Sequence, residues 1–486
     1  MKSGLLGKDM SEHVNRIAYI NLNGELETIA PDGENRHILT HGDRFFQFPA
    51  WSPDGRHIAA VGGTRDSAGV FVFEDSENSQ VHLTGPHAIY ESESNAPIYL
   101  FWSPDNEHLS FITIRAHEES MGLHVVAASA GPQDTMAQDV AVSPVAIGRP
   151  CFWDWSSDGK RILLHTGLAA EESAQLSFID PFNPKSGRAS IARPGLFQAP
   201  GIARSGRYWA FAQVNRQGEL QLVVDGRTSS NRLVVAHNGI AALSWSPAHD
   251  QLAYISPTEP VRTYYGPLRV LNAPDGKVRT LTDDIVLAFF WSPDGRYIAY
   301  FTIAGVAEQI WANTFPDPVA AALDGGFFDR NEIRRMNARR QPADAGEKPV
   351  ADGRQVSYEL EGEASEEDEG IENDEIDMEA EGDFAVEEEH ILRLNLWCVD
   401  VEKDEHRLIK TFEPVDLFVN QFLPFFDQFA LSHRIWSPDS KSIVLPMIDY
   451  DENDNDVPRV FAVPMTPRSG KPRAIADGVI AFWSQQ

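Results

Sequence analysis

Cysteine is nearly absent, with two residues in 486, Cys151 and Cys398. They lie far apart in separate apolar stretches (CFWDW and LNLWCVD), which excludes a disulfide framework and suits a reducing compartment. Positive charge is also scarce. Lys and Arg number 41 against 72 Asp and Glu, for a formal charge of −31. That balance argues against nucleic acid and anionic membranes as partners. No apolar run is long enough to span a bilayer, and the opening MKSGLLGKDMSEHVNR lacks the core of a secretory signal. A cytoplasmic location is therefore expected. No Gly-x-Ser-x-Gly elbow, phosphate-cradling glycine loop or dinucleotide fingerprint occurs. The 15 histidines are scattered along the chain. No cofactor is expected.

What is plentiful points to one kind of fold. Hydrophobic residues make up 42% of the chain and aromatics 10%, beside 35 Gly and 31 Pro. This is a core-forming composition with many tight turns. A motif recurs: WSPDGRHIAA from Trp51, WSPDNEHLSF from Trp102, WSSDGKRILL from Trp155, WSPAHDQLAY from Trp245, WSPDGRYIAY from Trp291 and WSPDSKSIVL from Trp436. A degenerate copy, IARSGRYWAF, puts Ile202 in the Trp place. Apart from one long gap the period is about 45 to 50 residues, that of propeller blades.

Ser-Pro-Asp-Gly fits a type I turn closed by a left-handed residue, giving a three-residue hairpin with a bulge. Asn106 is the mildest replacement for the closing Gly, whereas His249 and Ser440 predict strain or another turn. The repeated Asp is read as a turn residue and not as a catalytic carboxylate. Two further strands follow each hairpin, making four per repeat. The chain ends in GVIAFWSQQ, which starts a repeat at Trp483 and stops, while NRIAYINL, GELETIAPDG and RHILTHG near the N-terminus supply what that repeat lacks. The expectation is an all-β, eight-bladed propeller over 1–486, closed by pairing of N- and C-terminal strands. Seven blades is the alternative if the unit at Ile202 is incomplete.

These residues resemble the WD-like propeller repeat of the TolB family and of dipeptidyl-peptidase-IV-type enzymes, over nearly the whole chain outside one insertion. The resemblance implies the fold and says little of function. The chain departs from both: it shows neither the separate N-terminal domain and export signal of TolB nor a hydrolase region after the propeller. A periplasmic role is accordingly not expected.

The long gap after Trp291 holds an insertion, 305–390, between the second and third strands of one blade. Its part 355–390 is acidic: Glu359 to Glu389 carry 17 acids and no Lys or Arg, which is −17 of the −31 and leaves −14 elsewhere. Such a segment cannot form a core and is expected to be disordered, a solvated loop or a lure for a basic protein surface. In a four-stranded blade this connection shares a mouth of the ring with MIDYDENDNDVP and with the Phe-rich link PVDLFVNQFLPFFDQFALSHR. Function concentrates in loops, so the candidate binding residues are placed there: Phe425, Phe426, Gln428, His433 and Arg434, with Arg44, Phe45 and Phe46 approaching across the ring. The competing reading is that the Phe residues plug the space under a long loop. Asp449, Asp451 and Asn453 imitate the start of a calcium loop, but Asp454 and Val460 stand where that loop needs Gly and Glu. His87, His237 and His433 fall near blade connections, where a metal on the channel axis would find ligands. The leading expectation is a non-catalytic scaffold binding a peptide or protein, a basic one in the case of the acidic segment. The alternative is an enzyme: a metal-dependent propeller lyase or hydrolase, or a propeller partner of a peptidase. The oligomeric state is not legible.

Overall fold

The computed structural model describes residues 15–75, 87–115, 120–129, 143–168, 171–183, 187–196, 198–226, 232–259, 264–304, 392–466 and 470–485. Among them eight antiparallel sheets follow one another around a ring, seven of four strands and one of three. Blade 1 runs from inner strand Phe45–Trp51 to outer strand His87–Ser92, and blade 2 from Pro97–Trp102 to Ala146–Gly148. Blade 3 spans Cys151–Trp155 to Ala189–Ala192, blade 4 Gly201–Ile202 to Leu233–Ala236, and blade 5 Ala242–Trp245 to Lys277–Val286. The unit at Ile202 is thus a full blade, which removes the seven-bladed alternative. Blade 6 runs from Ala288–Trp291 to Glu405–Phe412, and its second strand Tyr297–Ile303 pairs with Leu394–Asp400. The insertion lies between those two strands, outside the described residues.

Blade 7 has Ser442–Tyr450, Asp456–Pro464 and Arg473–Asp477, with Trp436 bridged to Ile443 at its inner edge. Blade 8 joins both chain ends. Its inner strand Ile480–Trp483 pairs with Ile17–Ile20, followed by Leu26–Ile29 and His37–Ile38. This pairing leaves no open edge in the ring. Buried ions reinforce the joint: Asp75 at the end of a blade 1 strand meets Arg16 at 2.7 Å and accepts from Thr28 at 2.8 Å.

The motif performs the turn expected of it. Gly55, Asn106, Gly159, Gly206, Gly295 and Ser440 all have φ between 60° and 72°, and each donates its N–H three residues back, as Gly55 does to the Ser52 carbonyl at 2.9 Å. The Ser hydroxyl donates to the Asp carboxylate within the turn, at 2.6 Å for Ser52–Asp54. The repeated Asp is therefore structural. Where Gly is replaced, the new side chain bonds the neighbouring blade: the Asp54 N–H donates to Asn106 Oδ1 at 2.8 Å, and the Asp294 N–H to Ser440 Oγ at 3.1 Å. His249 uses another turn, with its N–H and that of Ala248 donating to Ser246 Oγ.

The Trp residues seam the blades. Five indole N–H groups donate to the carbonyl just before the corresponding residue of the preceding blade: Trp51 to Phe482, Trp102 to Ala50, Trp245 to Gly201, Trp291 to Ser244 and Trp436 to Phe290, at 2.9–3.2 Å. Trp155 reaches Phe101 through the Ser110 hydroxyl, and Trp483 meets Asn15 Oδ1 at 2.6 Å. Blade 4 has no indole at this position. There Asp154, the residue before Trp155, turns its carboxylate forward and accepts the Ile202 N–H at 2.7 Å.

Candidate functional site

Antiparallel order puts the Ser-Pro-Asp turns on one mouth (the turn mouth) and the links between blades on the other (the link mouth). The Phe-rich link from blade 6 to blade 7 starts on the link mouth and folds inward. Phe418–Phe422 forms a π-helical turn, Leu423–Phe425 a 3-10 turn with Pro424 at its first turn, and Phe426–Ser432 helix α1. Phe418, Phe422, Phe425, Phe426 and Phe429 are at most 5% exposed. Phe422 stacks on Phe290 at 5.5 Å, Phe426 meets Phe289 at 5.0 Å, and Phe429 meets Phe48 at 4.9 Å and Tyr99 at 5.3 Å. Phe425 and Phe426 thus fill the bore instead of lining a mouth.

The buried polar groups of this helix must be satisfied within the protein. Asp427 accepts the Ala199 N–H at 2.9 Å, and burial pushes its carboxyl up to about 6. Gln428 pairs its amide with the Trp153 backbone: Oε1 accepts at 3.1 Å and Nε2 donates to the carbonyl at 3.0 Å. Nε2 also donates to the Tyr99 hydroxyl, which contacts Ser432 Oγ at 2.5 Å. Ser432 Oγ is 2.6 Å from His433 Nδ1, and His433 Nε2 is 3.1 Å from the Phe48 carbonyl. A carbonyl only accepts, so Nε2 carries the proton and Nδ1 accepts from Ser432. Burial pushes His433 down to about 4, which makes the Ser432–His433 pair a weak base at neutral pH. Phe48 itself sits at φ 46°, a conformation few non-glycine residues adopt. Its carbonyl is held there by His433.

The other expected residues lie apart. Arg44 binds Glu91 of its own blade at 3.0 Å and covers the Phe71 ring at 4.4 Å. Phe45 is 46% exposed, whereas Phe46 is buried against Phe71 and Phe73. Among the described residues no hydrogen bond or ring contact joins these three to the plug; blade 1 touches it through Phe48. Asp449 pairs with Arg459 at 2.6 Å, and Asp451 caps its own loop by accepting the Asn453 and Asn455 N–H groups. These carboxylates are committed to protein partners. His433 stands in the bore, while His87 opens an outer strand and His237 follows one. Among the described residues one triad has metal-ligating atoms in reach of one another, Asp105, Glu107 and His108 in the exposed blade 2 turn.

A cavity of about 770 Å³ lies on the turn mouth. Its floor is Ala430–Arg434 at the end of the plug, and its rim includes Pro53, Pro104, Pro247 and Pro293 of the turns. Crevices of about 30 and 40 Å³ beside the plug compare with one water each. Arg434 and Arg204 both face the large cavity. Arg434 gives one bond to the Gln485 carbonyl at 3.3 Å. Burial first, and then the charge of Arg204, hold it down at about 10. Asp154 lines the same space, with burial pushing its carboxyl up to about 7. Neither Arg204 nor Asp154 was among the expected site residues, but the sequence held a signal for both. Arg204 stands where five other repeats have Pro, and Asp154 precedes the one Trp followed by an indole-free blade.

No family model matches the chain, nor does any curated protein. Among solved structures it is similar to a eukaryotic initiation factor (8% identity, TM-score 0.45, 97% of this chain and 98% of the other). It is also similar to an oligogalacturonate lyase in complex with manganese (9%, TM-score 0.41, 95% and 83%). A third is TolB from Acinetobacter baumannii (17%, TM-score 0.35, 55% of this chain), of which the chain spans 63%.

Proposed function

We propose that this chain is a non-catalytic binding propeller whose turn-mouth cavity takes a segment of a peptide or protein partner. The observation that carries this reading is the cavity itself: about 770 Å³, within the range of ligand sites, walled by a rigid seamed ring and floored by the plug. The reading moves the binding site from the link mouth, where loop length had put it, to the opposite one. Buried polar groups beneath the floor are used to hold the plug, as with Gln428 and Asp427. That is the arrangement of a fixed receptacle.

The test is a photo-crosslinking residue placed at Ser157 on the cavity wall or at Phe45 on the link-mouth side, with adducts mapped in cells making the full chain. Adducts of one partner segment at 157, reduced by a bulky Ala203→Trp in the cavity wall, are expected. Equal adducts at 45, or adducts indifferent to the blocked cavity, would sink the proposal.

A further inference from the structure

We infer that the turn-mouth cavity is an oxyanion site, and that its ligand is the free C-terminal carboxylate of a peptide, received between Arg434 and Arg204. The inference rests on the cavity being a peptide receptacle and adds the chemistry and direction of entry.

Three observations carry it. The first is a like-charge pair. Arg434 and Arg204 face one cavity, close enough for one charge to act on the other, and neither has an ion-pair partner among the described residues. Two guanidinium groups that line one cavity and ion-pair with no carboxylate repel each other, and desolvation adds to the cost. An oxyanion between them reverses the sign of both terms and offers the planar acceptor that a guanidinium fork matches.

The second is unused donor capacity. A guanidinium has five N–H donors, and Arg434 bonds one carbonyl, that of Gln485. Arg434 lines the cavity with no other side-chain hydrogen bond among the described residues. Arg204 gives no hydrogen bond to the described protein and sits at the rim, in place of a turn proline. This substitution occurs in the blade whose seam also lacks its indole, so the departures from the repeat gather at one edge of the cavity.

The third is shape. The plug closes the bore beneath Ala430–Arg434, so an extended chain cannot thread the ring, and a chain end fits where a through-strand does not. The end that meets a floor carrying Arg434 is the carboxyl end. Acids outside the cavity do not cancel this attraction, because charges beyond about 8 Å are largely screened at physiological salt; the one acid lining it, Asp154, is turned to the Ile202 N–H.

The experiment uses the full chain and two pools of randomised pentapeptides, N-acetylated, one with free carboxylates and one with C-terminal amides. Retention on the immobilised protein is read by mass spectrometry. Inorganic phosphate, followed by tryptophan fluorescence, is the second probe. The wild type is expected to retain free acids about tenfold over amides, the ratio that about 1.4 kcal/mol provides. Arg434→Gln and Arg204→Gln should each erase that preference with an unchanged circular dichroism spectrum. Arg434→Lys should keep part of it, as a point charge without the fork. Equal retention of acids and amides would overturn the oxyanion inference and leave the peptide receptacle standing. Retention of neither pool, with phosphate bound and lost in Arg434→Gln, would overturn the C-terminus in favour of a phosphorylated ligand and with it the peptide reading. No response to any probe would overturn both.

Discussion

Replacing Asp154 with Asn tests the seam between blades 3 and 4, the one place where a carboxylate does the work of an indole. Asp154 is buried and accepts the Ile202 N–H at 2.7 Å. Burial raises its carboxyl from 3.8 to about 7 in spite of that bond. A raised carboxyl means that the folded state holds the proton more tightly than the unfolded one. Stability from this group is therefore fully present below about pH 4 and is lost as pH rises through 7. The difference between 3.8 and about 7 is worth about 4 kcal/mol, an upper figure since the ring can admit water. Asn keeps an acceptor for Ile202 and never ionises. In urea unfolding between pH 4 and 8.5, the stability of Asp154→Asn relative to wild type should rise by up to about 4 kcal/mol with pH. Other titrating groups cancel in that difference. Asp154→Ala should instead cost about 1–3 kcal/mol at low pH, because it leaves the Ile202 N–H unpaired. A difference curve that is flat, or that falls with pH, would show that the N–H bonds outweigh desolvation and would refute the reasoning.

Gln428→Ala strips the Trp153 N–H and carbonyl of their partners; a loss of about 2–4 kcal/mol is expected for two buried groups, measured by chemical unfolding and with hydrogen exchange of the plug accelerated. Asp75→Ala leaves the buried Arg16 at the closing joint without its carboxylate and should cost about 3–5 kcal/mol, with protease cleavage near the N-terminal strands as the local readout. The thiols of Cys151 and Cys398 are both buried and pushed up to about 12 by burial. Neither should react with a thiol reagent in the native chain, and both should react in denaturant. One fast native thiol would contradict the packing of its blade.

Most of the architecture was legible because repetition averages out local noise. Eight recurrences set the blade number, Trp483 and NRIAYINL announced the joint, and the turn chemistry predicted even the odd behaviour of His249. The site was less legible, for two physical reasons. The link carrying Phe418 to Phe429 looked like surface decoration because it is long. Its Phe content needed burial, and the bore of an eight-bladed ring was the space available for it. The helical spacing of Phe422, Phe426 and Phe429 held that clue, while the tertiary pairing of Gln428 with Trp153 left no mark in the sequence. The second reason is that a degenerate repeat reads as a weakened one. Ile202 and Arg204 look like losses of Trp and Pro. In the folded ring, Asp154 compensates for the first change, and the second puts a cation at the mouth of the cavity.

The most direct measurement is an experimental structure of the full chain with a retained free-carboxyl peptide. Density for a carboxylate between Arg434 and Arg204, with the peptide rising from the plug toward the prolines of the turn mouth, is the predicted result. A peptide seated on the link mouth, or one in the cavity with its amino end on the plug, would contradict it.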